Sequence, residues 1–510
     1  MTQQKRTCVS APGKVLISGG YLVLFNEFSG LVAATSSRFV STVSTVDSED
    51  EKQKKIVVRS PQFEGGKWVY RVGKDLKLEN EGSDRNKYVE YAVALSLKLA
   101  KAANPSAFDA NFTPKSNLDI CIVGHNDFYS QRPQLESLNL PLTSSSLASL
   151  DPFCHTLTTI ANVHKTGLGS SAAMITSLVA ALVQHFDVIA LPDPTPASQT
   201  TPPSKKRKRG RSKHASAKKS VETPSTTNTE EIDHTNALRI AHNTSQFIHC
   251  LAQGKIGSGF DVSSAVYGSH TYTRFTPSVL DALMSECEAS TIYGVPGSRI
   301  LEVIQSDKWD SKVERVQLPP GVELMLADVD AGSSTPSLVK GILEWRTKNP
   351  KECKTLWKSL HTQNLLIAET LRTLHTTSHT SPKEYAKTLA QIKTTHAETW
   401  STSTSAVTKH FAAVHAAFLN VRTHLQEMSR LAGVPVEPES QTRLLDEIAK
   451  EKGVVMCGVP GAGGFDAIFV LVVGKENRES KVGPLLATAD SGAGLRREIV
   501  EEVEGLARFF

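Results

Sequence analysis

The sequence predicts an α+β fold in more than one domain, on three observations. Stretches with strand character and stretches with helical spacing both occur, and they do not follow strict βα alternation. The 510 residues also exceed what one hydrophobic core ordinarily organises. In chain order, KVLISGGYLVL (14–24) reads as a strand on its apolar and β-branched content. KIVVRS (55–60), WVYRV (68–72), LDICIVG (118–124) and VELMLADV (322–329) read the same way. Apolar residues recurring three and four apart predict helices over 86–101, 172–186 and 232–253, and over long tracts near 350–378 and 384–432. VVMCGVPGAGGFDAIFVLVVG (454–474) reads as strand, glycine loop, strand. No fixed-period repeat is present.

Composition removes several function classes. Hydrophobic residues make up 39% and charged residues 21%, the balance of an ordinary soluble protein. No run of about 18 apolar residues occurs, and MTQQKRTCVSAPGK has no apolar signal core, so neither a membrane span nor secretion is expected. The seven cysteines are scattered without a Cys-x-x-Cys pair, which fits reduced thiols in the cytoplasm and gives a zinc site no support. The net charge of +5 sits largely in residues 192–230, a stretch rich in Pro, Ser, Thr, Lys and Arg with few large apolar side chains. Such a segment cannot bury enough surface to offset its ordering entropy and is expected to be a disordered insertion. Up to Thr229 it holds nine Lys or Arg against two acids, so the rest of the chain is slightly acidic. Lys205–Arg209 has the composition of a nuclear address or a nucleic-acid contact, and equally of a solvated linker. No aromatic residue interleaves with it to stack on bases. Neither a nucleic-acid nor a membrane partner is expected, and oligomeric state is not legible.

KTGLGSSAAMITSLVAALV, from Lys165, sets two glycines and a group of small residues before a helical run through Met174, Ile175, Leu178, Val179, Leu182 and Val183. Small residues let a backbone approach a ligand, and a helix N-terminus offers unpaired N–H groups to phosphate. A tight turn with a serine cap is the plain alternative. The phosphate loop Gly-x-x-x-x-Gly-Lys-Ser/Thr is absent. Gly167, Gly169 and Ala172 do satisfy a dinucleotide fingerprint, with Asp187 about twenty residues on. Asp187, however, follows the helix directly instead of closing a second strand, so the order is wrong for that motif.

APGKVLISGGYLVL (11–24), GLGSSAA (167–173) and GVPGAGGFDAI (458–468) together resemble the three ordered motifs of the GHMP kinases. HNDFYSQ (125–131), NVHKTGLGSSAA (162–173), AQGKIGSGFDVSSAVYGS (252–269) and DVDAGSSTPSLV (328–339) resemble the fungal-type phosphomevalonate kinases within that superfamily. The resemblance implies an N-terminal ATP-binding domain over 1–290, a second domain over 291–510, and an active site in the cleft between them. It implies ATP and Mg²⁺ as cofactors and 5-phosphomevalonate as the small-molecule acceptor. Sibling kinases acting on mevalonate or homoserine, and a non-catalytic ligand sensor or nuclear regulator, are the alternatives.

The same resemblance assigns roles. Lys165, Thr166, Gly167, Leu168, Gly169, Ser170, Ser171, Ala172 and Ala173 would wrap the ATP phosphates, with Ser170 or Ser171 reaching Mg²⁺ or a phosphate. Asp261 would accept or orient the acceptor's hydroxyl proton. Lys14 would pair with that carboxylate or hold the transferring phosphate. Substrate contacts would come from Lys14, Lys165, Ser258, Gly332, Ser333, Ser334, Gly461 and Gly463. Lys255 is a weaker phosphate candidate, and Asp466 reads equally as a turn residue. One departure stands out. Mevalonate kinase-like members place a metal-binding Glu about eleven residues before the Asp, and here that spacing lands on Cys250, with no acid between Thr235 and Phe260. The second metal ligand is therefore open.

Overall fold

Strand β2 (Ser29–Asp47) is the backbone of the molecule and the one long strand that periodicity did not predict. Fourteen of its 19 residues are buried, in two runs that take in both faces, so its sequence, SGLVAATSSRFVSTVSTVD, lacks the alternation of a half-exposed strand. Serine and threonine pass unnoticed in a hydrophobicity reading, although threonine suits a strand. The computed structural model describes residues 5–48, 53–194, 226–328, 335–465, 467–474, 485–487 and 493–510.

Among these residues the strands form two sheets. The larger contains β1 (Arg6–Ser18), β2, β3 (Lys55–Arg59), β4 (Lys67–Val72), β5 (Leu78–Asn80), β6 (Ser116–Gly124), β7 (His270–Thr273), β8 (Lys312–Arg315) and, far along the chain, β13 (Arg496–Arg497). Its order is β13-β1-β2-β6-β3-β4-β5, with β7 on the free end of β2 and β8 beside β7. The β3–β6 pair is parallel and the others are antiparallel. The smaller sheet comprises β9 (Val322–Asp328), β10 (Val454–Gly458), β11 (Ala467–Val473) and β12 (Leu485–Ala487), in the order β10-β11-β9-β12. Strands and helices in these proportions make the fold α+β.

Helix Ser170–His185 packs on β1 and β2, flanked by helices Lys87–Ala103 and Thr226–Gln253. Its Ile175, Leu178 and Leu182 have no exposed surface, and each such burial contributes about 1.5–3 kcal/mol. Two long helices, Pro350–Thr380 and Ala406–Ala432, pack on each other, and the second also backs β10. Residues 495–509 return to the larger sheet, where Val500 and Leu506 share a small core with Cys8, Val40, Cys121, Val123 and Phe153. Within that return, Glu498 N–H donates to Cys8 O at 2.9 Å.

Two sequence expectations change. The run 14–24 is not one strand: β1 stops at Ser18, Gly19 has φ +95°, Tyr21 has φ +64°, and a 3₁₀ turn follows at Leu22–Leu24. The tract 384–432 is not one helix. It divides into Pro382–Ile392 and Ala406–Ala432 around a short turn at Ala397–Thr399. Of the expected insertion 192–230, residues 195–225 lie outside the described residues; the next helix already begins at Thr226, and Asp193 pairs with Arg497. All seven cysteines are unpaired. No helix among the described residues is long and apolar enough to cross a membrane.

Candidate active site

The site begins at an irregularity in β1. The pairing of β1 with β2 shifts register between Pro12 and Lys14, a bulge of the kind that re-aims a side chain. There the Lys14 N–H donates to Leu168 O at 2.9 Å, while its ammonium donates to Gly167 O at 2.8 Å. Only glycine fits at position 13, because a Cβ would meet Thr35 Oγ1 at 2.8 Å and the Phe128 ring at 2.9 Å. The first motif thus grips the second through one residue.

The glycine loop is also held from its other side by the HNDFYSQ segment. Thr166 N–H donates to Phe128 O at 3.3 Å, Ser130 N–H to His164 O at 2.9 Å, and the Thr166 hydroxyl to Asp127 O at 2.5 Å. The Asp127 carboxylate takes the Ser37 hydroxyl, and burial raises its carboxyl above the usual range. HNDFYSQ is therefore a support for the loop leading into the helix. Gly169 caps helix Ser170–His185 in the left-handed region, φ +77°, and no side chain caps it. Its first N–H groups are left for a ligand.

The third motif meets the first directly. The Tyr21 hydroxyl donates to Ala462 O at 2.6 Å and Gly461 N–H to Leu16 O at 3.3 Å, and a Cβ on Gly20 would sit 2.3 Å from Gly461 O. Between the motifs lies a cavity of about 210 Å³, walled by Lys14, Tyr21, Gly167, Ser258, Phe260, Val339 and Pro460–Gly463. Of the expected residues, Lys14, Gly167, Ser258, Gly461 and Gly463 line it. Ser170, Ser171 and Asp261 are half-buried and not part of that lining. Lys165 and Lys255 are exposed. Gly332, Ser333, Ser334 and Asp466 lie outside the described residues.

Asp261 occupies the first turn of helix Phe260–Tyr267, which Gly259 enters at φ +81°. The preceding loop is clamped by Arg274, whose guanidinium donates to Leu24 O, Ile256 O and Gly257 O at 2.6–2.9 Å. Gln246 donates to Gly259 O at 2.6 Å, and the Tyr272 hydroxyl to Ser258 O at 2.9 Å. The expected direct pair of Lys14 with Asp261 does not form. Lys14 instead bonds Gly167 O and lies over the Phe260 ring at 5.4 Å. Burial holds its ammonium below the usual lysine range, and the Asp261 carboxylate opposes that shift.

His249 is what sequence reasoning missed. Only 4% exposed, it faces Asp261 with Nδ1 4.0 Å from Oδ2, and its Nε2 meets Ser171 Oγ at 3.2 Å and Gln253 Nε2 at 2.9 Å. The spacing of His249 and Gln253, four apart on one helix, was the available signal. Neighbouring Cys250, at the position of the absent Glu, is buried. That burial pushes its thiol up to about 11.

No protein-family model matches the chain. Among solved structures, it is similar to the Lin0012 protein from Listeria innocua, with a TM-score of 0.56, 16% identity, and coverage of 97% of this chain and 99% of that one. It is also similar to Streptococcus pneumoniae phosphomevalonate kinase in complex with phosphomevalonate and AMPPNP, with a TM-score of 0.51, 12% identity, and coverage of 98% and 100%. At such identities these likenesses speak for the fold alone. Sequence relatives are nearer. The chain is 36% identical over 492 residues to the peroxisomal phosphomevalonate kinase of Arabidopsis thaliana, covering 91% of this chain and 89% of that protein. It is 32% identical over 507 residues to phosphomevalonate kinase erg8 of Aspergillus fumigatus, covering 91% and 87%. With identity of this degree over about nine-tenths of the chain and of its relatives, the chain belongs to the phosphomevalonate kinase family.

Proposed function

We propose that this chain transfers the γ-phosphoryl group of ATP to 5-phosphomevalonate, releasing ADP and 5-diphosphomevalonate, as a step of the mevalonate route to isoprenoids and sterols. The observation that carries the reading is the near-full-length identity to phosphomevalonate kinases of plant and fungal origin. The convergence of three glycine motifs on Lys14 and its cavity supports it.

Phosphoryl transfer asks a protein for positioning and charge cancellation more than for covalent chemistry. In the proposed arrangement the backbone from Lys165 to Ala173 wraps the ATP phosphates, with the uncapped helix end aimed at them. Lys14 releases the Gly167 carbonyl and turns its charge to the transferring group. Asp261 orients the acceptor's reacting oxygen and takes its proton. Ser258, Gly461 and Gly463 contact the acceptor, and Lys165 reaches its existing phosphate from the rim.

The donors available for Mg²⁺ are sparse: the hydroxyls of Ser170 and Ser171 and the Asp261 carboxylate. No cluster of three or more His, Cys, Asp or Glu able to hold a metal occurs among the described residues. That set fits a cation bound largely through substrate phosphates and water, as Mg²⁺ commonly is. Mg²⁺ bound with ATP would neutralise phosphate charge. A cytosolic setting belongs to the proposal, and the unpaired cysteines support a reducing compartment.

Coupled ADP release tests the reading. Phosphomevalonate should be turned over with MgATP, while mevalonate and homoserine should be poor acceptors. Faster turnover of mevalonate than of phosphomevalonate would overturn it.

A further inference from the structure

His249 lies against both Ser171, at the start of the glycine-loop helix, and Asp261, at the start of helix Phe260–Tyr267. It projects from helix Thr226–Gln253 into the space between the start of the glycine-loop helix and the start of the aspartate helix. The ring is buried, and its two nitrogens face different partners: Ser171 and Gln253 on Nε2, Asp261 on Nδ1. With the Gln253 amide nitrogen toward the ring, as the structure places it, His249 Nε2 is the acceptor. The Ser171 hydroxyl, at 3.2 Å, then shares the single Nε2 lone pair as its second and weaker donor. The ring proton is left on Nδ1, the nitrogen that faces the Asp261 carboxylate at 4.0 Å.

We propose that His249 is a positioning residue that ties the glycine-loop helix, through Ser171, to the carboxylate of Asp261. This rests on the kinase reading above. The ring determines where the Ser171 hydroxyl points its proton and presents an N–H to one oxygen of Asp261. Among the described residues the carboxylate's one hydrogen bond comes from the adjacent Val262 N–H, on Oδ1 at 3.0 Å. A carboxylate bonded at Oδ1 and faced by an N–H across 4.0 Å at Oδ2 is biased toward one orientation as the acceptor arrives, and a small misplacement of such a group is costly in rate.

Three variants separate positioning from packing. His249→Phe fills the space with no nitrogen. His249→Asn places an N–H near the Nδ1 position and restores the donor toward Asp261. His249→Ala removes the ring. In the phosphomevalonate assay, His249→Phe should lower kcat about ten- to a hundred-fold, with both KM values within about threefold of the parent. His249→Asn should recover most of that loss. If His249→Phe does not fold, His249→Asn should still exceed His249→Ala in kcat by at least about fivefold. A parental kcat in His249→Phe, or equal kcat in the Asn variant and the nitrogen-free variant, overturns the proposal. A second readout does not depend on which acceptor the enzyme uses. In ¹⁵N-histidine spectra of the full chain, the resonances lost in His249→Asn should report the Nδ1–H tautomer, and an Nε2–H tautomer would overturn the assignment. Failure to turn over phosphomevalonate in the parent, with the Nδ1–H tautomer present, would count against the kinase reading and leave the geometry standing.

Discussion

Lys14 is a cation held where its charge is disfavoured, tied to a carbonyl that a phosphate could displace. Its folded-state pKa lies below the ordinary lysine value because of burial, and Asp261 pulls it back up. If Lys14 holds ATP phosphates in its charged form, nucleotide affinity should fall as pH rises through that lowered pKa, earlier than an ordinary lysine would allow. Asp261→Asn removes the opposing attraction, so the alkaline fall should move to still lower pH. Calorimetric titration of ATP across pH checks both statements, and an unmoved limb would assign the titration to another group. At neutral pH the same variant should bind ATP nearly as the parent does, yet lose about two to four orders of magnitude in kcat. Lys14 and Asp261 could be singled out in the sequence because each lies inside a dense motif. His249 could not, because the meaning of its spacing to Gln253 appears only when Ser171 arrives from another helix.

Elements, more than single residues, hold the third glycine loop in place. Arg422, on helix Ala406–Ala432, pairs with Glu437 at 2.8 Å where the two side chains are 4% and 0% exposed. Gln426 and Thr442 add further donors to the same carboxylate. Glu437 fixes the turn in which the Val436 carbonyl accepts Gly464 N–H at 2.9 Å. A Cβ on Gly463, whose φ is +74°, would meet that carbonyl oxygen at 1.9 Å. Arg422→Met should therefore strand a buried carboxylate and lower stability by about 3–5 kcal/mol. Adding Glu437→Leu should recover much of the loss, and denaturant titration of the single and double variants checks this. Of the fold, the helices with one apolar stripe and the Val/Ile-rich strands could be read in advance. β2 could not, since burial on both faces erases its period. The end of β1 at Ser18 could not either, since apolar residues continue to Leu24 while the backbone, freed by Gly19 and Gly20, turns away.

For the whole molecule, composition makes its own prediction about the Lys/Arg-rich stretch that follows Pro194. It holds few groups able to join a core, and loop closure costs only about 0.6 kcal/mol per doubling of length. Replacing residues 196–224 with a short Gly/Ser linker should leave the melting temperature and phosphomevalonate turnover nearly unchanged; loss of either would show that the stretch works with the enzyme body. The return of residues 495–509 to the larger sheet has a consequence in time. Ser10 on β1 and Glu498 are bonded across 488 positions of sequence. A ribosome adding about 5–20 residues per second needs on the order of tens of seconds between making the two. During that interval the outer edge of β1, the strand that carries Lys14, has no neighbour to pair with, and an open strand edge invites pairing with another chain. Until β13 is made, that edge of β1 stays open, and the nascent chain carries the hazard of an unpaired strand for most of its own synthesis.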